Sequence, residues 1–132
     1  MASIHKQAFI ASPPEAVWDV VRDVGAVHTR FAPGFVTDTE MEGADRWVTF
    51  ANGLKVREVI VDVDEPRRRL AYSVRSEGLA HHNASFQVLP EPGGARLVWI
   101  ADVLPEAAAA SLEPMMEQGI AAAKAALDRL TA

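Results

Sequence analysis

Three side chains in the middle of this 132-residue chain are equipped to move protons: the carboxyl of Glu58, the phenol of Tyr72 and the imidazole of His82. Converging on an enolisable ligand, they would supply the general acid and base that an aldol-type ring closure needs. Each also has a structural reading, as a half-buried group bonded to its neighbours. Other chemistries are poorly served. The absence of cysteine excludes a disulfide framework, a thiolate metal site and a thiol nucleophile. No Gly-x-Ser-x-Gly elbow occurs. His81 and His82 are neighbours on a predicted strand, so they point to opposite faces and cannot share one ion. His5 and His28 lie elsewhere in the chain, without a ligand-type spacing. No metal and no other cofactor is expected.

The elements that must position these residues follow from breakers and periodicity. Residues 4–10 read as an edge strand, and Ser12, Pro13 and Glu15 read as the capping box and first turn of a helix carrying Val17, Trp18, Val20 and Val21. A second short helix is expected at 25–31, closed by Ala32-Pro33-Gly34. Strands are expected near 35–42, 45–51, 54–63, 68–76, 81–89 and 95–104. The breakers between them are Gly43, Asn52-Gly53, Glu65-Pro66, Glu77-Gly78 and the run from Pro90 to Gly94. Such short connections require antiparallel pairing. The Ala-rich segment 105–131 is helical, with Leu112, Met116, Gly119, Ala123, Leu127 and Leu130 on one face. Pro114 either starts this helix or kinks it. The expected architecture is α+β, a single domain over 1–132. About seven antiparallel strands curve around the long C-terminal helix, with two short helices after the first strand.

Hairpin chemistry then sorts the faces. Asn52-Gly53 suggests a two-residue turn, which sets Thr49 opposite Val56 and Trp47 opposite Glu58. Trp47, Thr49, Ala51, Leu54, Val56, Glu58 and Ile60 then share a face free of cations, taken as inward. Arg46, Val48, Phe50, Lys55 and Arg57 fall outward. Alternation also brings Tyr72, His82, Phe86 and Trp99 inward. An inward Glu58 must be a cavity acid/base group, pair with a buried cation or hydroxyl, or be turned out by a bulge. If it serves chemistry, Glu58→Gln should leave the fold intact. The expected cavity wall comprises Trp18, Phe31, Phe35, Trp47, Val56, Phe86, Trp99, Met115 and Met116. Gly119 is expected to lie where a ring or a ligand approaches the helix backbone, since glycine there costs about 1 kcal/mol against alanine.

Composition bounds the partners. With 49% hydrophobic residues the chain can build a core, and its formal charge of −5 makes nucleic acid an unsuitable partner. Arg67, Arg68 and Arg69 follow Asp62, Asp64 and Glu65, which reads as a solvated hairpin tip with cancelled charge. No apolar run reaches the roughly 18 residues of a membrane span, and the first residues lack a secretory signal pattern. A cytoplasmic protein is expected.

The segments Ser12-Pro-Pro-Glu-Ala-Val-Trp-Asp-Val-Val-Arg-Asp23, Val56-Arg-Glu-Val-Ile-Val-Asp-Val-Asp64 and Arg69-Leu-Ala-Tyr-Ser-Val74 resemble the START-like superfamily, also called Bet v 1-like or SRPBCC. The segments His81-His-Asn-Ala-Ser-Phe-Gln-Val88 and Leu97-Val-Trp-Ile-Ala-Asp-Val-Leu-Pro105 resemble its bacterial branch called polyketide cyclase/dehydrase-like. The resemblance implies a helix-grip fold with a cavity for a lipid-like or polyketide-like molecule. It carries no catalytic motif shared across the superfamily, so no residue role follows from it. Three functions are therefore expected to compete. The first is binding of a small hydrophobic or aromatic molecule. The second is a cyclase, dehydratase or isomerase using Glu58, Tyr72 or His82. The third is an interaction module or homodimer, with Val98 and Ile100 on its contact face.

Overall fold

The computed structural model describes residues 2–76 and 79–131. The expected Glu77-Gly78 turn lies outside the described residues. Strand β1 (Ala2–Ile10) is followed by helix α1 (Pro14–Val21) and a single π-helical turn at Val27–Phe31. Six strands come next: β2 (Val36–Glu42), β3 (Asp45–Phe50), β4 (Lys55–Asp64), β5 (Arg69–Arg75), β6 (His81–Glu91) and β7 (Gly94–Leu104). A 3₁₀ turn at Glu106–Ala108 leads into helix α2 (Ala109–Leu127). The strands form one antiparallel sheet in the order β1-β7-β6-β5-β4-β3-β2, so the first strand closes onto the last. This is the helix-grip arrangement of an α+β fold.

Helix α2 crosses the inner face of the sheet. Its apolar stripe buries Met116, Gly119, Ile120, Ala123 and Leu127, while Leu130, expected on that stripe, is exposed beyond the helix end. Pro114 stands inside the helix and does not begin it. The C-terminal half of α2 is tied to β1 and the chain just after it. Lys124 Nζ donates to the Phe9 carbonyl at 2.7 Å, and the Ala11 amide donates to Asp128 at 2.9 Å. Ser12 Oγ donates to the Leu127 carbonyl at 2.6 Å. That last bond corrects the capping-box expectation. Pro13 is the N-cap of α1 and Pro14 opens it, with no side-chain cap, and Ser12 instead satisfies the end of α2.

The β3–β4 hairpin differs from expectation by one residue. Its loop holds three residues, Ala51 to Gly53, because the Phe50 amide donates to the Leu54 carbonyl at 2.8 Å. Gly53, at φ +89°, supplies the left-handed residue such a loop requires. The register is therefore Thr49↔Lys55, Val48↔Val56 and Arg46↔Glu58. A one-residue slip inverts a strand's faces. Arg46 and Val48 point inward and Trp47 outward, the reverse of the sequence reading for β3. For β4 the inward assignment of Val56 and Glu58 stands.

Candidate functional site

Between the sheet and the N-terminal half of α2 lies a cavity of about 410 Å³. Its aromatic wall is built from β5, β6, β7 and the turn at Val27–Phe31. Phe86 stacks on Trp99 with centroids 4.7 Å apart and on Tyr72 at 6.1 Å, and Phe31 meets Phe86 edge-on at 4.9 Å. These are favoured aromatic geometries. Phe35, Val56, Met115 and Met116 also line the cavity. Gly119 lies at its edge, where an added Cβ would meet the rings of Phe35 and Trp99 at 2.9 and 3.0 Å. Ring packing thus accounts for a glycine in mid-helix.

Two expected wall residues are elsewhere. Trp18 is buried, but its Nε1 donates to Glu65 at 2.8 Å, tying α1 to the β4–β5 turn. Glu65 also accepts from Arg22, and these donors hold its carboxyl below the usual range. Trp47 is on the outer face of the sheet, donating to Glu42 at 2.7 Å beneath the cations of Lys55 and Arg57. The one-residue difference in register is what puts Trp47 on the outer face, and the polar anchor of Trp18 leaves no signal in local spacing.

Glu58, Tyr72 and His82 all line the cavity. Sequence reading missed the residue that organises them, Arg46. Its Nε donates to Glu58 Oε1 at 2.7 Å and its Nη1 to the Val24 carbonyl at 3.1 Å. Its guanidinium lies 5.2 Å from the Tyr72 ring centroid, within cation–π range. The signal that would have found it is the need of any buried carboxylate for a buried cation. Glu58 is therefore a member of an ion pair.

Tyr72 accepts a hydrogen bond from Trp99 Nε1 at 3.0 Å. Burial, and then the charge of Glu58, pushes its phenol well above its ordinary pKa. It therefore stays protonated and keeps a hydroxyl proton to donate. His82 is driven the other way. Burial, with the charge of His81 adding, lowers its imidazole from 6.5 to about 4. It is neutral near pH 7, and its Nδ1 has no hydrogen-bond partner among the described residues. The site thus offers a neutral donor, a neutral imidazole and an internally paired guanidinium in an apolar chamber.

A seven-stranded antiparallel sheet gripping a long C-terminal helix over such a chamber defines the START-like, or Bet v 1-like, class. The chain belongs to the family described as polyketide cyclase / dehydrase and lipid transport, which matches residues 1–132. No curated protein matches it in sequence. Among solved structures, the protein XoxI from Bacillus cereus is similar at a TM-score of 0.86 and 17% identity, over 100% of this chain and 99% of that one. A START superfamily protein from Mycobacterium smegmatis matches at 0.80 and 13%, over 98% and 99% of the two chains. A norcoclaurine synthase mutant from Thalictrum, complexed with a transition-state analogue, matches at 0.70 and 22%, over 98% and 92%. At these identities the likeness is one of fold. Among the described residues, no helix is long and apolar enough to cross a membrane.

Proposed function

We propose that the protein binds a small hydrophobic or aromatic molecule in the chamber between the sheet and α2. The observation that supports this most directly is the cavity itself: about 410 Å³, walled largely by apolar and aromatic groups, with a few polar side chains, Arg46, Glu58, Tyr72, Ser76, His82 and Ser111, among them. A mostly apolar pocket with a few placed polar groups is the usual form of a small-molecule site. The stacked Phe86–Trp99 pair suits a flat ring system, and the paired methionines adapt to its outline. Arg46, Tyr72 and His82 would orient a carbonyl or hydroxyl.

The test is to denature protein purified from its native host and identify released small molecules by mass spectrometry. Alongside, aromatic probes are screened for a rise in melting temperature, since a ligand of the folded state stabilises by mass action. A co-purifying apolar compound, or a concentration-dependent rise, is expected. Neither signal across a broad aromatic and lipid panel would overturn the reading.

One observation favours a second reading, a cyclase, dehydratase or isomerase. A phenol kept protonated and an imidazole kept neutral line the same cavity. Tyr72 would polarise a ligand carbonyl by donation while His82 accepts a proton from the adjacent carbon. Glu58 is already engaged by Arg46 at 2.7 Å and is less available to a ligand. Turnover of a poly-β-carbonyl probe, lost in both Tyr72→Phe and His82→Gln, would support this reading. Binding without turnover would exclude it for that probe class.

A further inference from the structure

Tyr72, Phe86 and Trp99 come from three neighbouring strands, β5, β6 and β7, and their rings lie nearly parallel. Phe86 is tilted by 18° to Tyr72 and by 21° to Trp99. Ala84 stands opposite Tyr72, and Ala101 stands opposite Ala84. Two methyl side chains at these buried positions leave the indole of Trp99 room to reach across β6. Its Nε1 meets the Tyr72 oxygen at 3.0 Å.

The direction of that bond is fixed by chemistry. An indole N–H can only donate, whereas a phenol oxygen both accepts and donates. Tyr72 is therefore the acceptor, and its own hydrogen points away from Trp99. No hydrogen bond joins the phenol to Glu58, whose Oε1 is already taken by Arg46 at 2.7 Å. Tyr72 lines the chamber, so its hydrogen is a donor that a guest can match.

The fitting acceptor is uncharged. Arg46 and Glu58, with side chains 5% and 8% exposed, cancel each other as a unit. A ligand carboxylate would bring an uncompensated charge beside Glu58 into a largely apolar chamber, at a heavy desolvation cost. A ketone or quinone oxygen accepts the same hydrogen bond and brings no charge.

We propose that Trp99 is a positioning residue: by donating to Tyr72 it turns the phenol hydrogen into the chamber, and so selects a flat ligand that carries an uncharged carbonyl. This role rests on the hydrophobic-ligand reading above and names the polar function of that ligand. Phe86 and Trp99 hold the ring system, and Tyr72 holds the oxygen.

Two flat probes of nearly the same shape test this, 2-acetylnaphthalene and 2-isopropenylnaphthalene, in which a methylene group replaces the carbonyl oxygen. 2-Naphthoate supplies the charged counterpart. Affinities are read by displacement of 8-anilinonaphthalene-1-sulfonate from the wild type, Tyr72→Phe and Trp99→Phe. The wild type should favour the ketone over the alkene by about three- to tenfold, the worth of one neutral hydrogen bond. It should bind naphthoate no more tightly than the ketone. Tyr72→Phe should erase the preference for the ketone. Trp99→Phe keeps a ring against Phe86 but removes the N–H, and should narrow the ratio of the two affinities. If Trp99 only packs, both probes weaken together in that variant and the ratio stays, which overturns the proposal. Equal binding of ketone and alkene by the wild type, or tighter binding of naphthoate, also overturns it, and leaves the hydrophobic-ligand reading standing. Infrared spectra need no variant. The carbonyl stretch of isotope-labelled 2-acetylnaphthalene bound to the wild type should lie below its value in dry hexane, and a hexane-like stretch overturns the proposal. If the dye is silent and none of the three probes raises the melting temperature, the hydrophobic-ligand reading itself falls, and the role of Trp99 with it.

Discussion

Arg46 and Glu58 face each other across β3 and β4 with 2.7 Å between Nε and Oε1, and their side chains are only 5% and 8% exposed. Removing one partner strands the other charge in an apolar wall. Glu58→Gln or Arg46→Met should therefore lower stability by about 3 kcal/mol or more in urea denaturation. The double variant Arg46→Met/Glu58→Leu should regain most of the loss, because neither charge is then left alone. Additive losses in the double variant would show that the two residues do not act as a pair. The sequence-based expectation that Glu58→Gln leaves the fold intact is reversed by the presence of Arg46.

His82 makes stability depend on pH. Burial, aided by the charge of His81, lowers its pKa from 6.5 to about 4. On acidification the unfolded chain takes up this proton first. The contribution of His82 is thus fully present above about pH 6.5 and is lost as pH falls towards 4, by at most about 3 kcal/mol. Urea midpoints measured from pH 7.5 to 4.5 should fall in the wild type. His82→Gln should flatten the part of that slope between pH 6.5 and 4.5, and an unchanged slope would assign it to other groups.

Gly119 separates packing from binding. An alanine there needs Phe35 and Trp99 to yield by a few tenths of an ångström, and gains about 1 kcal/mol of helix propensity. Gly119→Ala should therefore change stability by no more than about 1 kcal/mol. Gly119→Leu should push into the chamber and abolish the fluorescence response of an aromatic probe. A Leu variant that still binds the probe at wild-type affinity would place the ligand elsewhere.

Ser12 fastens the end of α2. It is 2% exposed and bonds the Leu127 carbonyl, so Ser12→Ala leaves a buried acceptor unsatisfied. A loss of about 1–2 kcal/mol is expected by thermal melting. No loss would mean that water or a neighbour replaces the hydroxyl.

The element order was legible because its signals are local. Breakers such as Gly43 and Pro92-Gly93 fall in the turns between strands, and the stripe from Leu112 to Leu127 has an unmistakable helical step. Inward faces on β5, β6 and β7 were legible for the same reason, since alternation within one strand needs no partner. β3 was not. Its facing depended on loop length, and Asn52-Gly53 fits a two-residue turn as well as the three-residue loop that forms. The assumption that cations face water then reinforced the slip and hid Arg46. Ser12 failed in a related way. Its position before Pro13 suggests a cap, but its partner, the Leu127 carbonyl, is 115 residues away, and long-range partners leave no trace in local pattern.

Helix α2 divides along its length. Leu112, Met115, Met116 and Gly119 face the chamber, whereas Ala123 and Leu127 are completely buried in the core beyond it. Substitutions in the first half alter the volume offered to a guest, and those in the second alter whether the chain folds. Selection can therefore retune what the protein recognises by drifting through the first half of one helix while the second half keeps the scaffold constant. A lineage built on this plan can diversify in ligand long before it diverges in fold.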